Sequence, residues 1–115
     1  MKVLTVLVPT YNVEKYLRRC LDSLLLPEVL EEIEVLVVND GSKDGSADIA
    51  RAYEKKYPQT VVFVDKENGG HGSTINVGIE KAQGTYFKVL DSDDWVNIKD
   101  TAKEVKVPVS LRSEE

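Results

Sequence analysis

The sequence predicts an α/β fold: a Rossmann-like, mostly parallel sheet with helices on both faces. Three observations predict it. Short apolar runs rich in β-branched residues alternate with longer stretches whose apolar residues recur at helical spacing. The short runs are apolar at successive positions, as strands covered on both sides must be. The order is strand then helix, three times over, closed by a fourth strand, which parallel pairing with right-handed crossovers accommodates.

Residues 3–8 form the first run. A helix follows, with Asn12 expected as its cap, Glu14 in its first turn, and Val13, Tyr16, Leu17, Cys20, Leu21 and Leu24 recurring at helical spacing; Pro27 ends it. Residues 33–38 make the second strand. Ser46 opens the second helix, which carries Ile49, Ala50, Tyr53 and Tyr57 on one face and stops at Pro58. Residues 61–64 are the third strand. The third helix is expected over 73–83, with Ile75, Ile79 and Ala82 inward and Gly84 as its C-terminal stop. Residues 86–90 complete the set. Farther on, Val105, Val107, Val109 and Leu111 alternate with polar residues, and Pro108 would confine such a strand to a sheet edge.

Composition narrows the function. At 115 residues the chain is one domain's worth. A net charge of -5 without a basic patch excludes a nucleic-acid grip. The opening apolar run is too short for a membrane span and reads as a buried strand rather than a signal peptide. The single cysteine, Cys20, excludes an internal disulfide and fits a reducing, cytoplasmic compartment.

In open parallel sheets ligands bind beyond the carboxyl ends of the strands. Here those ends lead into Pro9-Thr10-Tyr11-Asn12, Asn39-Asp40-Gly41-Ser42, Asp65 to Gly72, and Asp91-Ser92-Asp93-Asp94. The opposite connections read as solvated loops. The acidic run is the sharpest element: three carboxylates in four residues repel one another unless a cation joins them. Hard cations such as Mg²⁺ take carboxylate oxygens and share their shell with substrate phosphates. The plain alternative is a solvated acidic turn. Asp40 is either a turn residue or a carboxylate that accepts the imide N–H of a pyrimidine. Tyr11 either stacks on a base or packs inward. The glycines at 69, 70 and 72 precede a helix, so their amides could meet phosphate. His71 reads more simply as a structural hydrogen-bonder, Lys88 as an edge residue and Cys20 as core.

Val8-Pro9-Thr10-Tyr11-Asn12, the run Val37 to Ser46, Asn68-Gly69-Gly70, and Gly84-Thr85-Tyr86 leading to Leu90-Asp91-Ser92-Asp93-Asp94-Trp95 together resemble the family 2 glycosyltransferases. The order and spacing match the nucleotide-sugar-binding half of their GT-A fold. The match covers about residues 3–97, which sets an expected domain at 1–97 and a divergent tail at 98–115. The resemblance implies a substrate site of Pro9, Tyr11, Asp40, Asn68, Gly69, His71, Asp91 and Asp93. Pro9 and Tyr11 would line the base pocket and Asp40 would bond the base, typically uracil. Asp91 and Asp93 form the D-x-D motif; Asp91 would face the ribose and Asp93 would hold a divalent metal, Mg²⁺ or Mn²⁺, against the diphosphate. The implied reaction is transfer of a sugar from a nucleotide diphosphate sugar to a saccharide or lipid-linked acceptor, usually with inversion. A lipid-linked acceptor would place the chain at the inner membrane face.

Two departures stand out. Ser73-Thr74-Ile75-Asn76 replaces the family's Ala-Arg-Asn stretch, so a site arginine is absent and His71 or Lys88 would compensate. The match also stops where the acceptor-binding half begins. The family's base lies there, so no catalytic residue is assigned, and poor transfer by this chain alone is expected. An exposed sheet edge would then invite self-association. Two rival readings remain at this point: a non-catalytic nucleotide-binding or interaction module, and a haloacid-dehalogenase-type phosphatase with Asp91 as nucleophile. The second is weakened because that motif follows a first strand, not a fourth.

Overall fold

The computed structural model describes residues 2–98. The expected edge strand around 105–111 and most of the tail lie outside the described residues. Four strands, β1 (Leu4–Thr10), β2 (Ile33–Asp40), β3 (Val61–Lys66) and β4 (Tyr86–Val89), form one sheet in the order β3-β2-β1-β4, and every pair is parallel. Helices α1 (Glu14–Leu24), α2 (Ser46–Lys56) and α3 (His71–Lys81) connect them. All residues of β1 and β2 are buried, as their unbroken apolar runs required.

Alternation along the central strands builds two cores. Leu4, Val6, Val8, Ile33, Val35 and Val37 pack with Leu17, Cys20, Leu21 and Leu24 of α1 and with Ile49 and Ala50 of α2. Leu7, Leu36 and Val38 face the other way, toward Ile75 and Val77 of α3 and Phe87 and Val89 of β4. The chain steps outward from β1 through β2 to β3, then returns past both to β4. A right-handed return puts α3 on the opposite face. The strand order therefore reverses at β1, and a crevice opens between the carboxyl ends of β1 and β4.

Pro9 belongs to that crevice. It lies in a central strand, where proline usually costs a ladder bond. The Leu7 carbonyl faces β4 and accepts from Leu90 N–H at 2.9 Å, so two residues on, the Pro9 nitrogen also faces β4. The paired register with β4 ends at Leu7 opposite Val89, so Pro9 lies beyond the last paired residue of that ladder.

Three expectations for the elements are corrected. Asn12 does not cap α1; it sits at φ 51° before the cap position, Val13. Its side chain instead accepts from Lys43 N–H at 2.8 Å, across to the loop after β2. Ile79 is 58% exposed rather than inward. The inner stripe of α3 is Thr74 and Gly78, and a Cβ on Gly78 would lie 2.6 Å from Leu7 Cδ1. This close seating on Leu7 turns Ile79 to solvent. Gly84 is not the helix stop, because Ala82 caps α3. Gly84 lies against β1, where a Cβ would come 2.6 Å from Thr5 N, and its own N–H donates to Thr5 Oγ1 at 2.9 Å. Thr5 Oγ1 in turn donates to buried Glu34 Oε1 at 2.8 Å, which also accepts Gln83 N–H at 2.9 Å.

Candidate functional site

The crevice is a cleft of about 460 Å³, and its walls come from all the loops that the sequence singled out. Pro9, Thr10, Tyr11 and Val13 follow β1, Asp40 ends β2, Asn68, Gly70, His71 and Thr74 surround the start of α3, and Asp91, Ser92 and Asp93 follow β4. Of the expected site residues, Pro9, Tyr11, Asp40, Asn68, His71, Asp91 and Asp93 meet here. Gly69 is not among the lining residues; a Cβ on it would meet Ser73 Oγ at 2.9 Å and Lys66 Nζ at 3.0 Å. Lys88 is not part of the lining; it pairs with Val6 in the edge strand β4.

The first two loops are fixed to each other. Asp44 Oδ2 accepts from Glu14 N–H at 3.1 Å and its Oδ1 from Ser46 N–H at 2.9 Å, so one carboxylate satisfies open amides of both α1 and α2. The Asp44 carboxyl is desolvated, yet these bonds and the Ser46 hydroxyl hold it below the ordinary carboxylate value. Glu14 returns the contact by accepting Gly45 N–H at 3.1 Å. Ser46 Oγ accepts from Val13 N–H at 2.9 Å and Ser42 Oγ from Asn12 N–H at 3.0 Å. The polar run after β2 is thus largely a brace for helix starts. It holds Tyr11, 49% exposed, at the lip of the cleft.

Asp40 is the floor of the site, only 4% exposed. Oδ1 accepts from Lys66 Nζ at 2.9 Å and from Gly69 N–H at 2.8 Å. Oδ2 accepts from Gly70 N–H at 3.0 Å and, at a marginal 3.5 Å, from Asn68 Nδ2. Burial pushes the Asp40 carboxyl up, but the Lys66 hydrogen bond, the two glycine amides and the Lys66 charge outweigh it and leave it below the ordinary value. The expected offer of Gly69 and Gly70 amides to phosphate is therefore corrected: both amides are committed to Asp40. Gly70 makes this approach at φ 92°, a conformation that suits glycine. Lys66 was not singled out in the sequence; its signal was a lysine at the end of an apolar strand, next to a strand ending in Asp.

Past β4, Asp94 N–H donates to the Asp91 carbonyl at 2.9 Å and closes a tight turn. One carboxylate oxygen each from Asp91, Asp93 and Asp94 falls within 4.8 Å of the others, all three side chains exposed. Cys20 lies directly beneath. Its buried thiol reaches the Asp91 carbonyl at 3.8 Å, and burial, followed by the charges of Asp94, Asp93 and Asp91, pushes it up to about 12. Such a thiol stays protonated and donates.

A crevice at the reversal point, a base-sized aromatic lip and a carboxylate trio at the far wall are the layout expected of a nucleotide-sugar site. The model of Glycosyl transferase family 2 matches residues 5–107. This chain belongs to glycosyl transferase family 2. The family 2 chain is 41% identical over 93 residues to glycosyltransferase GlyA of Streptococcus pneumoniae, covering 81% of this chain and 13% of that protein. Among solved structures, S. aureus TarS 1–349 in complex with UDP-GlcNAc is similar with a TM-score of 0.76 and 38% identity, over 92% of this chain and 30% of that one. A mannosyltransferase from Pyrobaculum calidifontis in complex with GDP-Man and Mn²⁺ is similar with a TM-score of 0.73 and 28% identity, over 85% of this chain and 29% of that one. The chain thus spans less than a third of the length of each of these relatives, and its fold is the nucleotide-binding half of a GT-A glycosyltransferase. Among the described residues, no helix is long and apolar enough to cross a membrane.

Proposed function

We propose that this family 2 chain binds the donor of a glycosyl transfer, a UDP-sugar, in the cleft between β1 and β4, together with a divalent cation. The observation that carries the proposal is the meeting of Tyr11, Asp40, Asp91 and Asp93 around one cleft from three distant parts of the chain. The uracil would stack on Tyr11 against Pro9. Its imide N–H would replace the long Asn68 contact at Asp40 Oδ2, the weakest of the bonds on that carboxylate. Asn68 and His71 would then face the nucleotide from the start of α3. Lys66 already balances Asp40, so the floor adds little repulsion against a diphosphate.

The far wall is different. Asp91, Asp93 and Asp94 offer hard oxygen donors close enough to share one ion, which fits Mg²⁺ or Mn²⁺. Such an ion, when bound, stabilises the charge that develops on a departing diphosphate. Asp91 and Asp93 are the proposed ligands, with Asp91 also near the ribose and Asp94 in support. The reaction served would be transfer to a hydroxyl of a saccharide or lipid-linked acceptor, with inversion. No described residue is assigned as the base.

Calorimetric titration of UDP and UDP-sugars tests this, in Mn²⁺, in Mg²⁺ and in chelator, on the natural chain and on Asp93→Ala. Binding should require the metal and be lost in the variant. Equal affinity in chelator removes the assignment of Asp93.

A further inference from the structure

The acidic turn carries three exposed like charges, and something must hold it in shape. The structure provides three contacts from one helix. Ser23 Oγ, in the last turn of α1, donates to the Cys20 carbonyl at 2.6 Å and accepts from Val96 N–H at 3.2 Å. The Cys20 thiol donates to the Asp91 carbonyl. Arg19 lays its guanidinium 3.2 Å from the centre of the Trp95 ring, which is itself 53% exposed. The turn is thus gripped at its first residue, Asp91, and again just past its last, at Trp95 and Val96. Each grip acts on backbone or on a flanking ring, leaving the carboxylates free to face the cleft.

We infer that Ser23, with Cys20 and Arg19, positions the acidic turn so that its carboxylates converge on one cation. The inference rests on the metal reading proposed above and extends it to residues that touch neither nucleotide nor ion. The Ser23 hydroxyl is central because it uses its donor on the helix and its acceptor on the turn. Alanine removes both; threonine keeps both. Loss of a group that orients metal ligands from behind typically costs about 10–100-fold in metal affinity.

The test is Mn²⁺ titration followed by fluorescence of Trp95, the one tryptophan in the chain and a direct neighbour of the turn. It is run well below the melting temperature on the natural chain, Ser23→Ala, Ser23→Thr and Arg19→Met, with melting recorded for each. Ser23→Ala should weaken Mn²⁺ about tenfold, and Ser23→Thr should restore it. Arg19 is exposed, so Arg19→Met leaves the core intact and should weaken Mn²⁺ in the same direction; isothermal calorimetry replaces fluorescence for that variant, whose ring environment changes. A lower melting temperature in Ser23→Ala and Arg19→Met with unchanged Mn²⁺ affinity overturns the positioning role while leaving the metal site standing. Absence of Mn²⁺ binding by the natural chain overturns the metal reading, and this inference with it.

Discussion

Replacing Lys66 by methionine keeps most of the apolar stem, one atom shorter, and removes its charge from beneath Asp40. The pair is short, 2.9 Å, with 17% of the lysine and 6% of the aspartate side chain exposed. Removing one partner of a buried pair costs about 3–5 kcal/mol because the other charge is left uncompensated. Asp40 keeps the amides of Gly69 and Gly70, so the cost falls to the bottom of that scale or just below it, about 2–3 kcal/mol. For a domain of this size that is a fall of about 10 °C in melting temperature. The pH dependence is diagnostic. Asp40 has a folded pKa below its ordinary value of 3.8, so its stabilisation is present above that value and is lost as pH falls through the folded pKa. The deficit of Lys66→Met should therefore be largest at neutral pH and shrink on acidification below about pH 4. The assay is thermal unfolding by circular dichroism from pH 3 to 7. Adding Asp40→Asn to Lys66→Met should remove the pH dependence of the deficit without restoring full stability, since the amide carries no charge but turns an NH₂ group toward the N–H of Gly69 or Gly70. A Lys66→Met chain within about 0.5 kcal/mol of the natural one at pH 7, or a deficit that does not change with pH, would mean that Lys66 does not compensate the Asp40 charge.

Further outcomes follow from the same contacts. Gly84→Ala places a methyl 2.6 Å from Thr5 N, where the neighbour is backbone of a central strand; urea unfolding should show a loss of about 2–3 kcal/mol. Asp44→Ala opens the starts of both α1 and α2 and should cost about 1–2 kcal/mol by the same measurement. Ile79→Ser should change stability by less than about 0.5 kcal/mol, because the side chain faces solvent. Tyr11→Ala should weaken UDP in calorimetry about tenfold while leaving the melting temperature within a few degrees, in keeping with about 1–3 kcal/mol for an aromatic stacked on a base.

Each strand and helix was legible because its periodicity is local. Strand ends were less so: the apolar pattern stops at Val38 and Val64, whereas the ladder continues through Asn39 opposite Asp65 and Asp40 opposite Lys66. Those added rungs carry the floor of the site. The location of the cleft was legible from polar groups gathered after every strand. The partners of those groups were not, since Asn12 bonds Lys43, Asp44 bonds Glu14 and Asp40 bonds Gly69 and Gly70, all about thirty residues apart. A capping residue looks local in sequence, yet here the caps are exchanged between loops. Ile79 misled for a similar reason. Helical spacing allows several faces, and the close fit of Gly78 on Leu7 selects the one that buries Thr74.

The proposed site places a cation beside the diphosphate of a bound nucleotide. Crystals grown with UDP and Mn²⁺ and measured at the manganese absorption edge test that placement most directly. One anomalous peak is expected at coordination distance from Asp93 or Asp91, beside the diphosphate, with the uracil against Tyr11. A nucleotide bound elsewhere, or manganese lying away from the 91–94 turn, would contradict it.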